Sequence, residues 1–287
     1  RVDRTEVERG IQVLSARPLV SGGGLRGRLV QAISCMDLTY LSEDDAPGRI
    51  RSLCSKALRP VRQDVMEALG IGHMDLTTAA VCVRPTMVET AVEALGNSGI
   101  PVAAVAGGFP RGLSLLEARK ADIESCVTAG ATEIDMVITR THVLQGNWEA
   151  LFDEVAALHE ACGKARLKTI LATGDLGTLT NVLKASFVCM MAGADFVKTS
   201  TGKEKVNATL PAGLVMARAI RAFAKETGNR VGLKPAGGIS KAEQALGWLA
   251  LVEEELGDPW LQPGLFRIGA SSLLADMEGR LEQIGAH

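Results

Sequence analysis

Short apolar runs alternate along the chain with longer segments whose apolar residues recur every three or four positions. The runs lie near 33–38, 77–83, 101–106, 133–138, 166–172, 195–200, 230–235 and 265–270. From the third run onward they start at intervals of about 30–35 residues, the length of one strand–helix unit. This is a repeat of architecture and not of sequence. Units of this kind build a mainly parallel sheet, and roughly eight of them favour a closed barrel over an open doubly wound sheet. The pattern therefore predicts a single α/β domain, a (β/α)8 TIM barrel over residues 31–287, preceded by a short N-terminal extension, 1–30.

The intervening segments carry helix signals. In 147–163, Asn147 suits the N-cap, Leu151, Val155 and Leu158 share a face, and Gly163 can stop the helix. In 178–193, Val182, Leu183, Phe187, Met190 and Met191 form an apolar stripe that ends at Gly193, a pattern of core packing.

Parity locates the polar strand residues, because successive side chains of a strand face opposite sides. Ile134, Met136 and Ile138 oppose Asp135; Leu167 and Leu171 oppose Lys168; Val197 opposes Lys198; Val231 and Leu233 oppose Lys234. With the aliphatic face against the helices, Asp135, Lys168, Lys198 and Lys234 are expected in the lumen near its C-terminal mouth, where catalytic residues of such barrels sit. Three lysines against one carboxylate do not neutralise each other, and unpaired buried charge is costly. The arrangement suits chemistry that needs an unprotonated amine, since a neighbouring cation and partial desolvation both depress a lysine pKa.

The segments after these strands are rich in glycine and serine. Gly202 and Lys203 follow Lys198, Gly237 and Gly238 follow Lys234, and Gly269 leads through Ser271 and Ser272 into a helix. Glycine lets backbone N–H groups approach an oxyanion, and a helix N-terminus adds its dipole. Barrels of this type often bind phosphate in the loops after the seventh and eighth strands, so a phosphorylated ligand is expected there.

Composition narrows the function further. The 287 residues are 47% hydrophobic and 22% charged, the balance of a soluble globular protein. A net charge of -2 and 3% aromatic residues leave neither the electrostatic footprint nor the stacking platforms of a nucleic-acid binder. No apolar run is long enough to cross a bilayer, so no membrane partner is expected. Cys35, Cys54, Cys82, Cys126, Cys162 and Cys189 are scattered without a C-x-x-C pair, which suggests reduced thiols and a cytoplasmic location. The N-terminus lacks a signal-peptide segment and begins with arginine, so an initiator methionine is expected to be missing from it. His73, His142, His159 and His287 have no ligand spacing; no metal and no cofactor are expected.

Taken in order, "MDLT" (36–39), "TTAAVCVRP" (77–85), "EIDMVI" (133–138), "DFVKTSTGK" (195–203), "VGLKPAGGI" (231–239) and "FRIGASSLL" (266–274) resemble the deoxyribose-phosphate aldolase family, cofactor-free Schiff-base aldolases of the (β/α)8 class. The resemblance runs from about residue 32 to 281. It implies reversible cleavage of 2-deoxy-D-ribose 5-phosphate to D-glyceraldehyde 3-phosphate and acetaldehyde, with Lys198 as the Schiff-base lysine, Lys234 as the tuning cation and Asp135 as the proton shuttle. It associates Gly202, Lys203, Gly237, Gly238, Gly269, Ser271 and Ser272 with the substrate phosphate, and Asp37, Cys82 and Lys168 with the pocket. It leaves the oligomeric state open, a homodimer being one possibility. Two departures stand out: Ala172 where many bacterial relatives carry glutamate, and an end at His287 where many carry a tail finishing in tyrosine, the only tyrosine here being Tyr40.

Overall fold

The structure is a computed structural model that describes residues 2–16 and 23–286; His287 lies outside the described residues. Eight parallel strands form it: β1 Met36–Thr39, β2 Ala80–Val83, β3 Val102–Ala106, β4 Glu133–Val137, β5 Arg166–Ile170, β6 Phe196–Lys198, β7 Gly232–Lys234 and β8 Ile268–Ala270. Their order is β7-β6-β5-β4-β3-β2-β1-β8. The two edges meet through bridges between Leu233 and Phe266 and between Ala236 and Gly269, where Arg267 N donates to Leu233 O at 3.1 Å and Gly269 N to Pro235 O at 2.9 Å. The sheet thus closes into the expected barrel, and each expected run overlaps a strand. The first strand starts later than its apolar run, because Ile33 and Ser34 complete the helix Gly23–Ser34.

Helices cover the outer face, and the strands are buried on both sides, as parallel strands are. Val102–Ala106 is buried at all five positions. Ile134 and Met136 point into the helical layer without exposure, and each such side chain contributes about 1.5–3 kcal/mol relative to solvent.

The helix Trp148–Cys162 begins where Asn147 Oδ1 accepts the Ala150 N–H at 3.2 Å and ends at Gly163, whose φ of 57° is left-handed. The helix Leu179–Met191 begins where Thr178 Oγ1 accepts the Asn181 N–H at 3.1 Å. Of its apolar stripe, Val182 and Met190 are buried, while Met191 is 63% exposed. Met191 is the last residue of the helix, and its position on the turn points it away from the barrel.

N-terminally, the helix Arg4–Ser15 buries Val7 and Leu14 and is tied to the helix Leu210–Thr227 by the Arg218–Glu6 ion pair at 2.8 Å. Among the described residues no helix is long and apolar enough to cross a membrane.

At the floor of the lumen lies Phe196, fully buried. A Cβ on Gly232 would stand 2.2 Å from its ring, so glycine is what lets the ring cross the barrel. The guanidinium carbons of Arg166 and Arg267 lie 4.7 and 5.5 Å from the ring centre.

Candidate active site

The four lumen residues expected from parity converge. Lys198 and Lys234 end β6 and β7 and are lateral partners; Asp135 and Lys168 are partners on β4 and β5. Asp135 Oδ2 accepts from Lys198 Nζ at 2.7 Å and from Lys234 Nζ at 2.6 Å, and its Oδ1 accepts from Lys168 Nζ at 2.9 Å. Asp37 on β1 joins them: its Oδ2 accepts from Lys168 at 3.2 Å and from Lys234 at 2.5 Å. Lys234, Lys168, Asp37 and Asp135 have no exposure, whereas Lys198 retains 3%.

The expectation of three lysines against one carboxylate is corrected by this geometry. Glu133, the first residue of β4, pairs with Lys168 at 2.5 Å. Arg267, just before β8, pairs with Glu133 at 2.7 Å and with Asp37 at 2.6 Å. The lumen therefore holds four cationic side chains, Lys168, Lys198, Lys234 and Arg267, and three carboxylates, Asp37, Glu133 and Asp135. Glu133 carried a usable signal, since it shares the parity of Asp135. Arg267 likewise shares the parity of Gly269.

Burial and these contacts divide the amines. For Lys198 burial is the largest influence and pushes its pKa down; Asp135 works against it and the Lys234 charge adds to it, leaving the amine below its ordinary value. For Lys234 and Lys168 burial acts downward too, but Asp135 and Asp37 outweigh it, with Glu133 also acting on Lys168, and both are raised. Burial disfavours the Asp135 carboxylate, yet Lys168, Lys198 and Lys234 together hold it well below the usual carboxylate range. Among the four cationic groups, then, Lys198 is the one the site holds toward its free-base form.

Lys198 forms part of the wall of a cavity of about 460 Å³ that opens at the C-terminal mouth. Gly202, Lys203, Gly237, Gly238, Gly269, Ser271 and Ser272 line the same cavity, with Thr201 and Tyr40. Gly237 and Gly238 have φ of 87° and 79°, the left-handed region that favours glycine. A Cβ on Gly269 would come within 3.1 Å of Lys234 Cε, so this glycine makes room for the Lys234 stem. The helix after β8 is Leu273–Gly285; Ser272 occupies its N-cap position without a side-chain capping bond. Its hydroxyl is thus not committed to capping the helix, and Ser272 lines the cavity.

Beside and across from the amines the lumen carries apolar side chains, Ile170 being the lateral partner of Lys198. Cys82 packs with Ala103 and Val105, and Val137, Ile170 and Ala172 form a second cluster, Phe109 touching both. Burial raises the Cys82 thiol, with the Asp135 charge adding to it, so it is a packing group and not a thiolate. Ala172 has φ of 56°, the only non-glycine residue with positive φ among those described. It is fully buried and packs with Val137 and Ile170, and its methyl group can carry no proton. All six cysteines are free and buried. Among the described residues no three His, Cys, Asp or Glu side chains are grouped to hold a metal.

This constellation has counterparts among known proteins. The family model described as DeoC/LacD family aldolase matches residues 31–278. The chain is 56% identical to deoxyribose-phosphate aldolase of Mus musculus over 98% of its length and 89% of that protein. It is 54% identical to that of Homo sapiens over the same shares. Its fold superposes on the deoxyribose phosphate aldolase structure from Aeropyrum pernix with a TM-score of 0.65, at 23% identity, covering 97% of this chain and 98% of the other. The chain belongs to the DeoC/LacD family of aldolases.

Proposed function

We propose that the protein catalyses the reversible aldol cleavage of 2-deoxy-D-ribose 5-phosphate to D-glyceraldehyde 3-phosphate and acetaldehyde through an imine on Lys198. The observation that carries this reading is a single amine, Lys198, held below its ordinary pKa at the wall of a cavity whose other wall is built of glycine and serine loops. The phosphate is assigned to Gly202, Lys203, Gly237, Gly238, Gly269, Ser271 and Ser272, which orients the open-chain aldehyde toward Lys198.

The free Lys198 amine attacks C1, and loss of water gives the protonated imine. Removal of the proton from the C3 hydroxyl breaks the C2–C3 bond, its electron pair moving into the imine to give an enamine and releasing the phosphorylated three-carbon aldehyde. The enamine takes a proton at C2, and water hydrolyses the resulting imine to acetaldehyde and free Lys198.

Asp135 is assigned the proton traffic. A carboxylate held so far below its ordinary pKa is a poor resting store of protons, but Lys198 and Lys234 donate to the same oxygen. A proton can therefore cross between the two amines at Asp135 Oδ2 while the carboxylate stays ionised at both ends of the transfer. Lys168 and Asp37 hold Asp135 and Lys234 in place. A reducing compartment such as the cytoplasm suits the six free cysteines.

Borohydride reduction in the presence of acetaldehyde, followed by peptide mapping, tests the reading. A two-carbon adduct at Lys198 is expected; labelling chiefly at Lys234 or Lys168 would move the nucleophile. No adduct together with isomerisation of sugar phosphates would replace the aldolase reading.

A further inference from the structure

Four cationic side chains and three carboxylates occupy one buried lumen, so the cluster is neutral only if one cation gives up its proton. Arg267 cannot be that group, because guanidinium is not deprotonated in proteins. Among the amines, Lys168 touches three carboxylates, Asp37, Glu133 and Asp135. Lys234 touches Asp37 and Asp135, and Lys198 touches Asp135 alone. The amine with the fewest anionic partners is the one from which a proton is removed at least cost.

The count depends on two residues at the floor, below the reacting amine. Glu133 supplies the third carboxylate of Lys168. Arg267 spans both oxygens of Glu133, at 2.7 and 3.0 Å, and Oδ1 of Asp37 at 2.6 Å. It thereby leaves Asp37 only Oδ2 for the lysines. Neither floor residue lines the cavity that Lys198 faces. We propose that Glu133 and Arg267 are a positioning pair for the reaction: by setting the charge of the amine cluster from the floor, they make Lys198 the amine that stands free. This rests on the reading of Lys198 as the nucleophile. The titratable and charged groups around Lys198 are Asp135 on β4, Lys234 on β7, Lys168 on β5, Asp37 on β1, Cys82 on β2 and Lys203 at the mouth.

The signs follow from the count. Glu133→Gln removes an anion and leaves the cluster one positive charge in excess with Lys198 free. Lys198 then loses its proton more readily, and the acid limb of kcat/KM moves to lower pH. Arg267→Gln removes a cation, so the cluster is neutral with Lys198 protonated, and the limb moves to higher pH. Each shift is expected to be about one pH unit, a tenfold change in kcat/KM at a fixed pH on that limb. Arg267→Lys keeps the charge and holds the wild-type limb. The double variant Glu133→Gln/Arg267→Gln restores the balance and returns the limb to near the wild-type position.

The experiment is the pH profile of kcat/KM in these four variants, beside the borohydride and acetaldehyde adduct at Lys198. Opposite shifts support the pair. Unmoved limbs, or shifts of the same sign, with the adduct still at Lys198 overturn it and leave the aldolase reading standing; absence of that adduct in the wild-type protein overturns the aldolase reading itself. If Arg267→Gln does not fold, Glu133→Gln decides alone, because loosening around Lys198 admits water and moves the limb upward, opposite to the shift expected. If Glu133→Gln does not fold, an upward shift in Arg267→Gln that is absent in Arg267→Lys decides.

Discussion

Lys198 and Lys234, lateral partners on neighbouring strands, donate to one and the same atom, Oδ2 of Asp135, at 2.7 and 2.6 Å. Two ammonium groups sharing one oxygen repel each other, and burial disfavours both charges. Lys234 is compensated by Asp37 as a second acceptor, and Lys198 has none. The asymmetry of two chemically identical side chains thus comes from one extra carboxylate contact.

Replacing Lys234 by leucine tests that asymmetry. Loss of the neighbouring cation raises the Lys198 pKa, so a larger share of the amine is protonated at a given pH. The acid limb of the pH–rate profile is expected to move to higher pH, one unit corresponding to about 1.36 kcal/mol. An unshifted limb in a folded variant would leave Lys234 a binding role only.

Lys198→Met removes the amine assigned as the nucleophile, the one cationic-type group of the lumen that the charge balance leaves without its proton. Turnover and the acetaldehyde adduct are expected to vanish while thermal stability stays level or rises. Lys168→Met behaves oppositely: three carboxylates lose a partner, and breaking such buried pairs costs about 3–5 kcal/mol. Thermal unfolding of the two variants side by side measures the contrast, and equal losses of stability would contradict the charge balance.

Asp135→Asn removes the shared acceptor charge. Proton-transfer steps are expected to slow by roughly 10²- to 10⁴-fold. Because the anion that opposed deprotonation of Lys198 is gone, the acid limb is expected to move to lower pH while the maximum falls. A reduced maximum with an unmoved limb would assign Asp135 to geometry and not to charge.

At the mouth, Gly238→Glu introduces a negative charge where the phosphate is assigned. A charge-assisted hydrogen bond there is worth about 1.5–3 kcal/mol, or about 10- to 100-fold in rate constant. Turnover of deoxyribose 5-phosphate is expected to collapse, while imine formation with acetaldehyde, which has no phosphate, persists. Values of kcat/KM for the phosphorylated and free sugar in both proteins give the readout; equal proportional losses would remove the phosphate from these loops.

The carboxylates also set the acid limit of the fold. Asp37, Glu133 and Asp135 are favoured as protonated acids by burial, but the facing cations outweigh it and hold all three below their ordinary values. Their contribution is therefore fully present above the unfolded carboxylate range and lost as pH falls through the folded values. Urea midpoints are expected to hold above about pH 5 and to drop below about pH 4; a flat profile through that range would show that the ion network adds no stability.

The barrel and the cluster of lumen amines were legible because both rest on local alternation. Period two along β4 to β7 placed Asp135, Lys168, Lys198 and Lys234 on one face, and Asn147 marked a helix start by its side-chain oxygen. The floor was less legible. Glu133 opens its strand and Arg267 precedes one, so both read as polar ends of apolar runs. Their pairing spans a separation of 134 residues, which no local pattern encodes. Met191 was placed with the core because it continues the apolar stripe, whereas the helix ends there and turns it outward.

The Phe196 ring that fills the barrel over Gly232 makes the lumen a blind alley. Everything that reaches Lys198 enters and leaves by the mouth, past the loops assigned to the phosphate. With the imine on Lys198 and the phosphate at the mouth as proposed, the two-carbon fragment would be tethered at depth after the C2–C3 bond breaks, and the phosphorylated fragment would lie between it and the exit. Departure of products is then expected to be a queue, the three-carbon phosphate leaving before acetaldehyde. In the synthetic direction the queue reverses, with acetaldehyde the obligatory first arrival.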